Sequence, residues 1–145
     1  MDDANLKGMK LEDQLCFPLY ACSKEIVRKY KPFLDDLGLT YTQYITMIVL
    51  WEKKETNVKE LGERLYLDSG TLTPLLKKLE SRGYITRKRS TADERNLLVK
   101  ITEEGMELKE KAKSIPDKIL SALNVSRGEI AKLHEVTYDI LRRMK

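Results

Sequence analysis

The chain has 145 residues, 27 basic and 23 acidic, for a net charge of +4, which is long enough for one domain with a real core. A charged share of 34% and a hydrophobic share of 41% suit a soluble globular protein. The longest unbroken apolar run, Met47 to Trp51, is five residues, against about 20 for a membrane helix.

Two cysteines and one histidine exclude a disulfide scaffold and argue against a zinc site or a Ser-His-Asp triad. The first ten residues hold no apolar block, so the expectation is a cytoplasmic protein with reduced thiols and no membrane partner.

Leu11, Leu15, Leu19, Cys22, Ile26 and Phe33 recur at helical spacing and predict a long first helix. A neighbouring stripe runs Cys16, Tyr20, Ser23, Val27, Tyr30. Pro18 leaves two options. It kinks that helix, or regular helix starts near Phe17 and Cys16 sits at its N-terminus. A second helix is expected from Thr40 through Tyr44, Ile45, Ile48 and Trp51, apolar on both faces and therefore central.

A third helix starts at Asn57, which forms a capping box with Glu60, and buries Val58, Leu61 and Leu65. After YLDSG comes a fourth helix with Leu72, Leu75, Leu76 and Leu79 inward. Asp68, Ser69 or Thr71 caps it, Pro74 lies in or near its first turn, and Gly83 stops it. The β-prone runs 84–89 and 97–102, joined by STADERN, predict a hairpin. Thr102 caps a fifth helix carrying Leu108, Ala112, Ile115, Ile119 and Leu123, kinked at Pro116. Ser126 and Glu129 open a last helix with Ile130, Leu133, Thr137, Ile140 and Met144; His134 lies on it as a structural residue.

The charge excess is local. Residues 1–55 carry 8 basic and 9 acidic side chains, 56–100 carry 10 and 6, and 101–145 carry 9 and 8. In the middle third, Lys77, Lys78, Arg82, Arg87, Lys88 and Arg89 face only Glu80, a field that attracts a polyanion. Helix, turn, helix and basic hairpin follow in the order of a winged helix-turn-helix. The fourth helix shows Thr71, Thr73, Lys77, Lys78 and Ser81 opposite its leucines, suited to a major groove. Arg87, Lys88 and Arg89 climb the hairpin. Arg95, oriented by Asp93, is placed to enter a minor groove.

The segment LYLDSGTLTPLLKKLESRGYITRKRSTADERNLLVKIT resembles the winged-helix core of MarR-type transcriptional regulators. LEDQLCFPLYACSKEIVRKYKPFLDDLGLTYTQY resembles the OhrR subgroup of organic-hydroperoxide-sensing repressors, with MgrA-like and SarZ-like relatives sharing the LCF element. The resemblance covers roughly residues 10–125.

It implies a mainly α fold in a single MarR-type domain, 1–145. Residues 40–102 form the winged helix-turn-helix with a two-stranded wing, and 10–39 with 103–145 form a helical dimerisation part. It implies a homodimer on an inverted-repeat operator in double-stranded DNA, with Ser69, Thr71, Thr73, Pro74 and Lys78 at the major groove and Asp93 with Arg95 at the minor groove. It makes Cys16 the peroxide sensor and Tyr30 and Tyr41 the phenols that hold its thiolate. No cofactor or metal is called for.

Fourteen residues of helix separate Cys16 from Tyr30 by about 21 Å, so Tyr30 meets Cys16 only from a second subunit. Cys22 is about 9 Å along the axis and turned away, beyond the Cα span of about 7 Å for a disulfide. It reads as a core residue on the main apolar stripe. No cysteine follows residue 22, so a small cytoplasmic thiol is expected to complete the cycle, with Cys22 of a second subunit as the open alternative. The competing expectations are a MarR-type regulator released by a small aromatic ligand between the two parts, a thiol peroxidase, and a non-specific DNA protein.

Overall fold

The computed structural model describes residues 8–92 and 96–145. A 3-10 turn, Leu11–Asp13, precedes α1 (Phe17–Asp35). The carbonyl of Cys16 accepts the Tyr20 N–H at 2.8 Å, so Cys16 is the last residue before the helix. Pro18 falls in the first turn, where an N–H has no partner in any case. The helix therefore starts at Phe17, without a kink at Pro18.

After α1, Thr40 and Gln43 form a capping box at the head of α2 (Tyr41–Lys53). This helix is buried around most of its circumference, by Tyr44, Met47, Val49, Leu50 and Trp51 among others, as its two apolar faces predict; Ile48 is the exposed exception. Lys54 ends it with φ +67°.

A strand absent from the sequence reading follows, β1 (Glu55–Asn57). It is only three residues long, with one buried side chain, Thr56. Asn57 caps α3 (Val58–Leu65) by accepting from the Glu60 N–H at 2.8 Å. The cap is one-sided: the Glu60 carboxylate accepts from Thr56 Oγ1 at 2.8 Å, so the expected capping box does not close.

Asp68 caps α4 (Ser69–Ser81), accepting from the Thr71 N–H at 2.7 Å. Pro74 is thereby the sixth helical residue, one turn deeper than expected. At the other end, Gly83 N–H donates to Glu80 and Tyr84 N–H to Leu79. Gly83 sits at φ +82°, the left-handed conformation such a helix terminus requires.

Strands β2 (Ile85–Arg89) and β3 (Leu97–Ile101) pair antiparallel from Ile85 with Ile101 to Arg89 with Leu97. β1 adds on the far side of β3, giving the order β1-β3-β2. The wing hairpin is therefore part of a three-stranded sheet. Thr102 caps α5 (Glu103–Ala112). The predicted fifth helix is two helices: α5 stops at Ala112, and α6 (Ile115–Leu123) starts with Pro116 as its second residue. Pro116 begins a helix instead of kinking one, as a proline in a first turn does. The Ser126–Glu129 capping box opens α7 (Arg127–Arg143).

The backbone divides into two compact units. The second, Lys31–Ile115, holds nearly the whole core, including Met47, Leu50, Leu61, Leu72, Leu76, Leu79, Ile85 and Val99. The first comprises the described residues up to Tyr30 and Pro116–Lys145. Of its large apolar side chains, Ile119 is buried, while Leu15, Leu19, Tyr20, Leu133, Val136, Tyr138 and Ile140 are exposed. Among the described residues, no helix is long and apolar enough to cross a membrane.

Candidate nucleic-acid interface and thiol site

Four leucines orient α4. Leu72, Leu75, Leu76 and Leu79 are buried and turn the opposite face outward. That face carries Ser69, Thr71, Thr73, Pro74, Lys77, Lys78 and Ser81, all exposed. The structure thus brings the expected major-groove residues together on one accessible helix face. The Ser81 hydroxyl donates to the Lys78 carbonyl at 2.8 Å. The Thr71 N–H bound to Asp68 holds that carboxyl below the usual carboxylate range, so a fixed negative charge stands at the head of this helix.

The wing is less uniform than its sequence. Lys88 and Arg89 are exposed. Arg87 is not: its side chain is 17% exposed and pairs with Glu80. One Glu80 oxygen accepts the Arg87 backbone N–H at 2.8 Å, and the other accepts Nη2 at 3.1 Å and Nε at 3.3 Å. These bonds hold the Glu80 carboxyl below the usual carboxylate range. Arg82 is also engaged: its guanidinium donates to the Gly38 carbonyl and lies 5.3 Å from the Tyr84 ring centre. Sequence reading grouped both arginines with the outward lysines, because their partners are set by the chain's turns and not by local spacing. Asp93 and Arg95 lie outside the described residues.

Cys16 is an exposed free thiol at the N-terminal end of α1, beside exposed Leu15, Leu19 and Tyr20. Tyr30 is half-buried on the same helix, about 21 Å further along it, so the two do not meet within one chain. Tyr41, half-buried at the first position of α2, belongs to the second unit and packs at a tilt on Tyr44, ring centres 6.5 Å apart. Burial pushes the Tyr44 phenol up, and neighbouring Tyr41 adds to the shift. Cys22 is exposed, which corrects its reading as a core residue.

A separate groove of about 690 Å³ runs beside α3, the α3–α4 turn and the start of β3, lined by Val58, Tyr66, Leu67, Leu72 and Leu97 among others. It lies inside the second unit.

Helix, turn, helix and wing, with donors on the second helix and cations on the hairpin, define a winged-helix DNA-binding protein. The chain belongs to the SarA/Rot family of transcriptional regulators, whose family model matches residues 28–112. It is 52% identical over 136 residues to the organic hydroperoxide resistance transcriptional regulator of Bacillus subtilis (strain 168), covering 94% of this chain and 92% of that one. It is 42% identical over 137 residues to the HTH-type transcriptional regulator SarZ of Staphylococcus saprophyticus, covering 94% of each. Among solved structures it resembles reduced AbfR bound to DNA, with a TM-score of 0.78, 30% identity and coverage of 99% and 100% of the two chains. AbfR has also been solved overoxidized on DNA and in a disulfide form. The family is one of regulators and not of enzymes, which sets aside the thiol-peroxidase alternative. The relatives match the OhrR and SarZ groups that the LCF element resembles.

Proposed function

We propose that this chain is a dimeric transcriptional repressor that binds an inverted-repeat operator and releases it when an organic hydroperoxide oxidises Cys16. The observation that carries the reading is an exposed free thiol at the head of α1, in a unit whose apolar faces are left bare in the single chain. A second copy covering those faces supplies the Tyr30 that one chain cannot bring to its own Cys16. The name of the Bacillus subtilis relative and the reduced, overoxidized and disulfide forms of AbfR support the same chemistry.

The sulfur acts as a thiolate. It attacks one peroxide oxygen, the O–O bond breaks, and the alcohol leaves with a proton from solvent. Sulfur takes the terminal OH and is oxidised to sulfenic acid while the peroxide is reduced. A small cytoplasmic thiol then condenses with the sulfenic acid, losing water and leaving a mixed disulfide. The oxidised sulfur no longer holds Tyr30 of the second copy or Tyr41 as the thiolate did, and the two reading heads lose the spacing of half-sites one turn apart. Ser69, Thr71, Thr73, Pro74 and Lys78 serve the major groove, with Lys77 and Lys88 on phosphates and Asp93 with Arg95 at the minor groove.

The test is a gel shift on the protein's own promoter, with and without an organic hydroperoxide. The wild type is expected to release DNA on oxidation and Cys16→Ser to stay bound. Release that persists in Cys16→Ser overturns the sensor assignment. A covalent dimer on a non-reducing gel, lost in Cys22→Ser, overturns the one-cysteine scheme.

A further inference from the structure

We propose that Arg87 is a positioning residue for DNA reading, not a phosphate ligand, and that with Glu80 it forms a strut fixing the angle between recognition helix and wing. This deepens the DNA-binding reading above and rests on it.

Glu80 is near the end of α4, and Arg87 is the middle residue of β2. Between them the chain reverses through Gly83, at φ +82°. One carboxylate closes it from both sides, taking the Arg87 backbone N–H with one oxygen and the guanidinium with the other. The paired fork is directional in a way an ammonium is not. The Arg87 side chain is also mostly covered, so a phosphate would have to break the pair to reach it. The two readers meet different grooves of one duplex, and an error in the angle between them costs the selective complex most. A non-selective complex, held by exposed Lys77, Lys78, Lys88 and Arg89, tolerates it.

The pairing separates this role from direct contact. A phosphate ligand releases a counterion when it binds, contributing about −0.9 to the salt slope of log affinity; a guanidinium already neutralised by Glu80 contributes none. Lysine replaces arginine at a phosphate but not in a two-pronged grip on a carboxylate.

Full-length wild type, Arg87→Lys, Arg87→Met, Glu80→Gln and the Glu80→Gln/Arg87→Met pair are titrated against a promoter duplex and a scrambled duplex over a salt series. Each single variant is expected to lose about tenfold in the promoter-to-scramble ratio, the size of one lost charge-assisted hydrogen bond. The double variant is expected to be no worse than the worse single, and the slope to stay at the wild-type value. Arg87→Lys retains stem and charge, and keeps the test valid if Arg87→Met does not fold. Rescue by Arg87→Lys, or a slope reduced by about 0.9 per protomer in Arg87→Met with Glu80→Gln unaffected, overturns the proposal. Full selectivity in both Arg87→Met and Glu80→Gln overturns it as well. A wild type without preference for the promoter duplex instead overturns the function on which the proposal rests.

Discussion

Gly105, in the first turn of α5, shows how little room single residues have in the reading unit. A Cβ there would lie 2.3 Å from the Tyr84 carbonyl oxygen and 2.7 Å from a side-chain carbon of Ile101. The Gly105 carbonyl accepts the Trp51 indole N–H at 2.8 Å, which pins α5 to the central helix. Gly105→Ala gains about 1 kcal/mol of helix propensity, but must push backbone away from backbone. The net expectation is a loss of about 1–3 kcal/mol, read from the urea midpoint. A stabilised variant would show that α5 can slide off Tyr84. At this scale the Thr102 and Ser126 caps were legible, and Asp68 as one of three candidates, because each meets its partner three residues away. Arg82 was not, since its carbonyl partner is Gly38, far back in the chain.

Elements were legible where they are long and periodic. The leucine period of α4 and the two-sided α2 match the structure. β1 has three residues and one buried side chain, too few for any period to register. Pro116 was read as a kink, and the turn at Lys113–Ser114 makes it the start of a helix instead.

The coupling of α4 to β2 also carries a pH dependence. The Arg87 bonds hold the Glu80 carboxyl below 4.5, so their stabilisation is fully present above that value and is lost as pH falls through the lower, folded one. Glu80→Gln is therefore expected to unfold at lower urea than wild type at neutral pH. The gap should close progressively below pH 4.5, where the wild-type carboxyl is protonated too. A gap unchanged at acid pH would mean that the glutamate acts by shape and not by charge.

For the molecule as a whole, the uneven division of the core between its two units is the dominant fact. The winged-helix unit buries most of its apolar residues within one chain, whereas α7 exposes Leu133, Val136, Tyr138 and Ile140. Leu133, Val136 and Ile140 fall at i, i+3 and i+7 and so share one face of that helix, an exposed apolar stripe of the kind that marks a subunit contact. Leu133→Glu is expected to shift the protein from dimer to monomer in sedimentation equilibrium. Its effect on the single chain should stay within about 0.5 kcal/mol, since the position is already exposed. A dimer that survives Leu133→Glu and Ile140→Glu together would place the subunit contact elsewhere. The proposed sensor rests on a resemblance, because a single chain does not bring Tyr30 to the Cys16 that precedes it by about 21 Å along the same helix.

The bond from the Arg87 N–H to Glu80 has a consequence for solubility. β2 is an outer strand of the sheet, and such strands offer unpaired amide groups on which foreign chains can stack into fibrils. Here the amide at the middle of that strand is already occupied by a carboxylate, and exposed Lys88 adds like-charge repulsion beside it. β1, at the opposite border, has only three residues to offer. A foreign strand approaching β2 therefore finds its central amide already taken.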